Sequence, residues 1–227
     1  MPEINSIPYE SAEDLNKYLY DEFYSTEMLE ELNTLTGAVK SSIFELEMNT
    51  GVTANSISET FYNLNYFNPL YGEAVWKLYV NSMQNVRVFF GFKETLAEPI
   101  FPSQGAMIES HSGFMLDWKD NAPHLYASVA NGFTQQKVEI VGIDMTRVEN
   151  YKIAYNKFSI MPLPIIEEEL GLPTVYSVER KWKEMTSLSD FPPINEVHWI
   201  MHYAKNLTGA EKFLRINRFI YKEVYAD

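Results

Sequence analysis

Hydrophobic and polar positions alternate most cleanly over residues 86 to 93, "VRVFFGFK". Val86, Val88, Phe90 and Phe92 fall on one side, and Arg87, Phe89, Gly91 and Lys93 on the other. A strict period of two over this length predicts a β-strand. Other strand-length segments surround it. "AVKSSIFELEMNTG" sets Val39, Ile43, Leu46 and Met48 among polar residues and closes on a turn signal, and "ETFYNLNYFNPLYG" and "EAVWKLYVN" follow. After the loop "LAEPIFPSQG" come "AMIESHSGFMLDW", "HLYASVANG", "QQKVEIVG", "ENYKIAYNKFSIM", "EVHWIMHYAKN" and "KFLRINRFIYKEVYAD", bounded by Gly, Asn, Asp or Pro. Many strands at this spacing predict an all-β antiparallel sandwich or jelly roll.

Three stretches read differently. In "EDLNKYLYDEFYSTEMLEELNTLTG", Leu15, Tyr18, Leu19 and Phe23, and then Met28, Leu29, Leu32 and Leu35, fall at helical spacing. The same stretch also reads as two short strands broken at "YSTE", so both forms stay open. Residues 1 to 12 lack periodicity and read as an extended arm, which divides the chain into an N-terminal arm with a short helix or first strand (1–24) and a sandwich domain (25–227). Within that domain, residues 162 to 193 read as an insertion with a short acidic helix around Glu167 to Leu170, capped by Gly171. In "GIDMTRVENYKIAYN", Asp144 and Thr146 suit a turn that ends "KVEIVG", while Tyr151, Ile153 and Tyr155 alternate with Lys152, Ala154 and Asn156 as a strand with one wet face.

Composition narrows the function classes. At 227 residues, one sandwich core is the simplest organisation, and an aromatic share of 15% suits pleated, half-buried surfaces. Lys and Arg total 18 against 31 Asp and Glu, a net charge of −13 with no basic run, so neither nucleic acid nor an anionic membrane surface is an expected partner. No Cys is present, which removes disulfides, thiolate ligands and a Cys nucleophile. The N-terminus has no basic start followed by an apolar core, and no apolar run reaches the roughly 18 residues of a membrane span, so the expectation is a soluble chain without a signal peptide.

Candidate chemistry is sparse. His198 and His202 form H-x-x-x-H, but they lie in a stretch that reads as a strand, where four residues span about 13 Å and two rings cannot share a metal. They read as polar-face or subunit-contact histidines. Acidic runs such as Glu167 to Glu169 suit a solvated helix face better than an opposed catalytic pair. No G-x-S-x-G, P-loop or G-x-G-x-x-G occurs. "ESHSGFMLDW" brings Glu109, His111, Asp117 and Trp118 close in sequence. Glu109, His111 and Trp118 are candidate glycan contacts, because the face of a sugar is apolar and its rim is hydroxyl. The alternative is a core Trp with loop acids facing water.

The order of segments resembles the concanavalin A-like lectin/glucanase (laminin G-like) family. The likeness rests on "YDEF" at 20–23, "LNTLTGAVKSSIFELEMNTG" at 32–51, "VRVFFGFKE" at 86–94, "LYASVANG" at 125–132, "GIDMTRVENYKIAYN" at 142–156 and residues 205–226. The resemblance implies a jelly roll of two curved sheets whose concave face binds glycans in lectins and holds the acids in glucanases. The glucanase pattern E-x-D-x-x-E does not occur in this chain, so no enzyme is expected. Some relatives hold a structural calcium between the first and last strands, and Asp21 and Asp227 would be the matching carboxylates; no other cofactor is implied. Modules of this kind also occur in virion structural proteins. The leading expectation is therefore a non-enzymatic structural or adhesive component at a virion or extracellular surface, partnered by its own copies or by other virion proteins. The alternative is a carbohydrate-binding module for a surface glycan, with a glycoside hydrolase behind both.

Overall fold

The computed structural model describes residues 18–21, 33–36, 38–42, 45–63, 71–147, 149–154, 157–161, 183–184 and 197–224. These contain fifteen strands: β1 Tyr18–Asp21, β2 Asn33–Thr36, β3 Ala38–Ser42, β4 Glu45–Asn49, β5 Ile57–Asn63, β6 Tyr71–Val80, β7 Val86–Lys93, β8 His111–Lys119, β9 Ala122–Ala130, β10 Gln135–Ile140, β11 Glu149–Ala154, β12 Lys157–Met161, β13 Lys183–Glu184, β14 Trp199–Asn206 and β15 Phe213–Val224. No helix occurs among the described residues, and hence none that could cross a membrane. Between residues 15 and 35, the strand reading is the one seen at 18–21 and 33–36. The arm before residue 18 and the expected helix at 167–170 lie outside the described residues.

All pairings are antiparallel, and they build two sheets. One runs β13-β12-β11-β6-β15-β4-β3 with β1 beside β15, and the other runs β10-β9-β8-β7-β14-β5-β2. The chain is an antiparallel β-sandwich. Its main core lies between the sheets, where Trp76 and Leu78 of β6, Phe90 of β7, Phe114 of β8 and Phe219 of β15 are fully or almost fully buried. The rings meet in both edge-on and stacked pairs; Trp76 lies 5.4 Å from Phe90 at 67°, while Phe90 and Phe114 stack at 5.1 Å and 23°. In β15, Leu214 and Ile216 point into this core, and so do Phe219 and Tyr221, although the two pairs are out of phase by one residue. The register shift between Ile216 and Arg218 resolves the conflict: one extra residue restores the inward face, as a β-bulge does.

A polar thread crosses the buried interior. Trp76 Nε1 donates to His202 Nε2 at 2.8 Å, joining the first sheet to β14 of the second, and His202 Nδ1 lies 3.1 Å from Thr60 Oγ1. Because Nε2 is the acceptor, the ring proton sits on Nδ1 and points to Thr60. Burial holds the imidazole far below its ordinary value, at about 3, so it is neutral. His202 is therefore a core residue, which corrects the expectation of a polar-face or contact histidine. His198 precedes β14, and its N–H donates to the Lys93 carbonyl at 3.0 Å. "GIDMT" forms the expected turn: the Thr146 N–H and hydroxyl both donate to Asp144 Oδ1, at 3.0 and 2.6 Å.

The depressed His202 value fixes a pH dependence. The folded ring stays neutral down to about pH 3, whereas the unfolded ring takes up a proton near 6.5. Between those values the unfolded state binds more protons, so acid favours unfolding; above 6.5 the group is silent. Chemical denaturation between pH 7 and 4 should show stability falling with acid, and His202→Gln should flatten the slope by one proton, about 1.4 kcal/mol per pH unit. An unchanged slope would contradict the buried, neutral assignment.

Candidate functional site

β7 and β8 are buried on both faces. On the face turned away from the main core, Phe89 of β7, Met115 of β8, and Met201 and Tyr203 of β14 form a second cluster with Phe101 and Met107. The last two come from residues 94–110, the connection between β7 and β8, which folds back across its own sheet. Phe89 can lie flat there because Gly113 has no side chain; a Cβ on Gly113 would stand 2.3 Å from the Phe89 ring.

A connection laid over a sheet must satisfy its polar groups, and three anchors do so. The Ser103 N–H and hydroxyl donate to the fully buried Asp117 at 2.6 and 2.8 Å, and Arg87 Nε donates to the same carboxylate at 3.0 Å. Glu98 Oε1 accepts from the Tyr203 hydroxyl at 2.7 Å and from Lys205 Nζ at 2.6 Å. Burial, with the Glu98 hydrogen bond and charge added, pushes the Tyr203 phenol up. The third anchor is Lys93, whose side chain is fully buried. Its ammonium donates to the Ala97 carbonyl at 2.6 Å and to Glu109 Oε2 at 2.8 Å, with the Thr95 carbonyl at 3.3 Å. Burial pulls the Lys93 ammonium below its ordinary value, and the Glu109 hydrogen bond and charge act against that.

His111, the cross-strand neighbour of Lys93, closes a circuit beneath the end of this connection. Its Nδ1 lies 2.8 Å from the Glu109 carbonyl, which can only accept, so Nδ1 carries the proton. Nε2 then accepts from Ser128 Oγ at 2.9 Å; Gln135 Nε2 donates to Ser128 Oγ at 2.9 Å, and Gln135 Oε1 accepts the Met107 N–H at 3.3 Å. Burial holds this ring down to about 4, despite the hydrogen bond to the Glu109 carbonyl; the Lys93 charge also lowers it. Residues 107 to 110 are thus held from both ends.

Beside them opens a cleft of about 400 Å³, lined by Glu94, Ile108, Glu109, Ser110, Asn131, Gly132 and Phe133. The far wall is the β9–β10 turn, "NGFT". Asn131 Oδ1 accepts the N–H groups of Phe133 and Thr134, each at 3.2 Å, and Gly132 takes φ +89°, a region open to glycine. This turn lifts the Phe133 ring into solvent, where it is 86% exposed. Ile108, the neighbour of Glu109, is also exposed.

Of the residues expected to meet a ligand, Glu109 lines this cleft and His111 lies buried directly behind it. Trp118 stands apart. It lies seven residues farther along β8, about 23 Å away, and its even position in the alternation puts it with Phe114 and Leu116 rather than with His111 and Met115. Glu94, Ser110, Asn131, Gly132 and Phe133 were not anticipated. An Asn-Gly turn followed at once by a large aromatic is the signal that points to Phe133, since the turn leaves that ring no strand face to pack on. As for calcium, Asp21 ends β1 in register with Phe219 of β15, so the first and last strands are neighbours, while Asp227 lies outside the described residues. Among the described residues, no three His, Asp or Glu side chains gather where they could hold a metal, and calcium asks for six to eight oxygens.

No family model and no curated protein matches the sequence. Solved structures do match. A legume lectin-like domain from Entamoeba histolytica shares 13% identity at a TM-score of 0.58, over 88% of this chain and 94% of that one. The VIP36 exoplasmic/lumenal domain, in a form bound to Ca2+ and Man3GlcNAc, shares 9% at 0.57 over 92% and 89%. Apo Crh5 transglycosylase shares 8% at 0.56 over 92% and 85%. At such identities the likeness speaks for the fold, a legume-lectin-like sandwich of the concanavalin A type.

Phe101 is the plug that holds residues 94–110 down. Phe101→Ala should cost about 3–5 kcal/mol in denaturant melts. Amides of residues 98–107 should lose hydrogen-exchange protection ahead of those in β6; equal loss across both would refute a separately seated connection.

Proposed function

We propose that the chain is a non-enzymatic carbohydrate-binding module whose ligand sits in the cleft between Glu109 and Phe133. The observation that carries this reading is the nearly bare Phe133 ring beside a pocket edged by carboxylates, a hydroxyl and an amide. An exposed aromatic face costs solvation unless something apolar covers it, and a sugar offers an apolar face with hydroxyls at its rim. The acids and Asn131 supply acceptors and a carboxamide for that rim.

Solved neighbours support recognition: one is named legume lectin-like, and another was solved with a mannose-containing glycan. Neither lends weight to the virion role expected from the sequence. The transglycosylase neighbour shows that the fold itself admits chemistry, so the absence of E-x-D-x-x-E from the chain is what favours binding alone.

Glycan-array screening, followed by titration of the best hit, tests the site. Phe133→Ala removes a ring that packs on little, so folding should be unaffected while affinity falls roughly tenfold or more, the equivalent of about 1.4 kcal/mol. Trp118→Ala should leave binding unchanged. The opposite pattern would move the site to the other end of β8, and a blank array would end the carbohydrate reading.

A further inference from the structure

Charge and unspent hydrogen-bonding capacity in the cleft narrow the ligand beyond sugars in general. Glu94 accepts the Ser110 N–H at 3.0 Å through Oε2, and Glu109 accepts Lys93 Nζ and Thr95 Oγ1 at 2.8 and 2.9 Å through its own Oε2. Neither Oε1 receives a hydrogen bond from a described residue. The Lys93 ammonium is fully buried and committed to Ala97, Thr95 and Glu109, so it cancels one of the two negative charges without being able to reach a ligand. One negative charge is left over in the cleft.

Ser110 supplies an independent pointer. Its residue is 4% exposed and lines the cleft, yet its hydroxyl makes no hydrogen bond to a described residue. A Cβ on Gly132 would lie 3.7 Å from that oxygen, so the missing side chain keeps the way to it open. The residue is almost wholly buried while its oxygen still opens on the cleft, where a ligand hydroxyl can replace solvent as its partner.

We propose that the cleft selects an amine-bearing sugar, a hexosamine unit with a free primary ammonium. The ammonium lies between Glu94 and Glu109, a ring hydroxyl meets Ser110, and the apolar sugar face covers Phe133. A neutral sugar would bury the leftover charge uncompensated, and a uronate would add a second. An ammonium cancels it, offers three N–H donors to the two idle carboxylate oxygens, and gains from the Phe133 ring if it comes within about 6 Å of the ring centre. The inference rests on the carbohydrate-binding reading and goes further in naming the sugar chemistry.

Calorimetric titration of the whole chain with four oligosaccharides of equal length tests it: fully deacetylated chito-oligosaccharide, its N-acetylated form, a neutral β-glucan oligomer and a uronate oligomer. The deacetylated ligand should bind at least tenfold tighter than the N-acetylated one, with the gap shrinking in high salt. Glu94→Gln, which keeps an acceptor for the Ser110 N–H, should erase most of that preference. Phe133→Ala should weaken binding without changing net charge, which separates the cleft from general attraction of a cation to an acidic protein. Equal or tighter binding of the acetylated or neutral oligomer overturns the amine preference while leaving a sugar site in place. Indifference of the deacetylated ligand to both substitutions overturns it as bulk electrostatics. Failure of every glycan to bind removes the carbohydrate reading and this inference with it.

Discussion

Strand β7 has to be dry on both faces. Val88 and Phe90 face the main core while Phe89 points the other way, and all three are fully buried. A sheet that covered only one side of this strand would leave a large ring and the stem of Lys93 in water, at a cost of roughly 25 cal/mol per Å² of apolar surface. The chain meets the demand locally, by folding the residues that follow β7 back over it. Once Phe101 and Met107 are seated against Phe89, the polar groups of the same segment must be paired, and Asp117, Glu98 and Lys93 become necessary. The position of Glu109 is a consequence of that pairing. Its carboxylate is where it is because a buried ammonium requires a counter-charge, and the edge of the cleft follows from the covering of a strand.

The interior shows the same accounting of polar groups. A tryptophan N–H, an imidazole and a hydroxyl sit in a buried aromatic core, and the donor of Trp76 meets the acceptor of His202, whose own donor meets Thr60. Removing one member would strand the next, so the thread ties β6 to β14 more specifically than packing alone, which tolerates many apolar arrangements. His111 does the equivalent work on the outer face, where its two nitrogens fix the backbone of Glu109 and, through Ser128 and Gln135, that of Met107. Two of the chain's four histidines are thus neutral structural elements.

Period-two patterns made the sandwich legible, and the turns were legible from Asn, Gly and Asp, because both signals are local. β15 shows how far that goes: Leu214 and Ile216 fall out of phase with Phe219 and Tyr221, which is a bulge written in the sequence, although the pairing of its two halves with β4 and β1 is not. The same limit explains the histidines. Spacing showed that His198 and His202 could not share a metal, but the identity of the facing strand, and hence the Trp76 donor, is a matter of tertiary pairing. At the site, Glu109 and His111 proved to be neighbours because they are two residues apart. Trp118 was grouped with them by closeness in sequence, which an extended strand converts into length. The remaining lining came from the β9–β10 turn, brought alongside through the β8–β9 pairing, in which His111 lies opposite Ala130.

The location of the cleft also bears on which residues are free to shape it. The outward face over the central strands of the second sheet is filled by Phe101 and Met107, so the cleft is built from loop ends rather than from that part of the sheet. Loop ends can vary without disturbing either core, whereas a site on β7 would have to be built from residues that already hold the sandwich together. Phe133 and Ile108 illustrate the freedom this gives, since both are apolar, exposed and absent from either buried cluster. Lys93 marks its limit. Its charge lies beneath the cleft, yet changing it would unseat the segment that makes the cleft, so the cleft's chemistry can vary only on the solvent side of that buried pair.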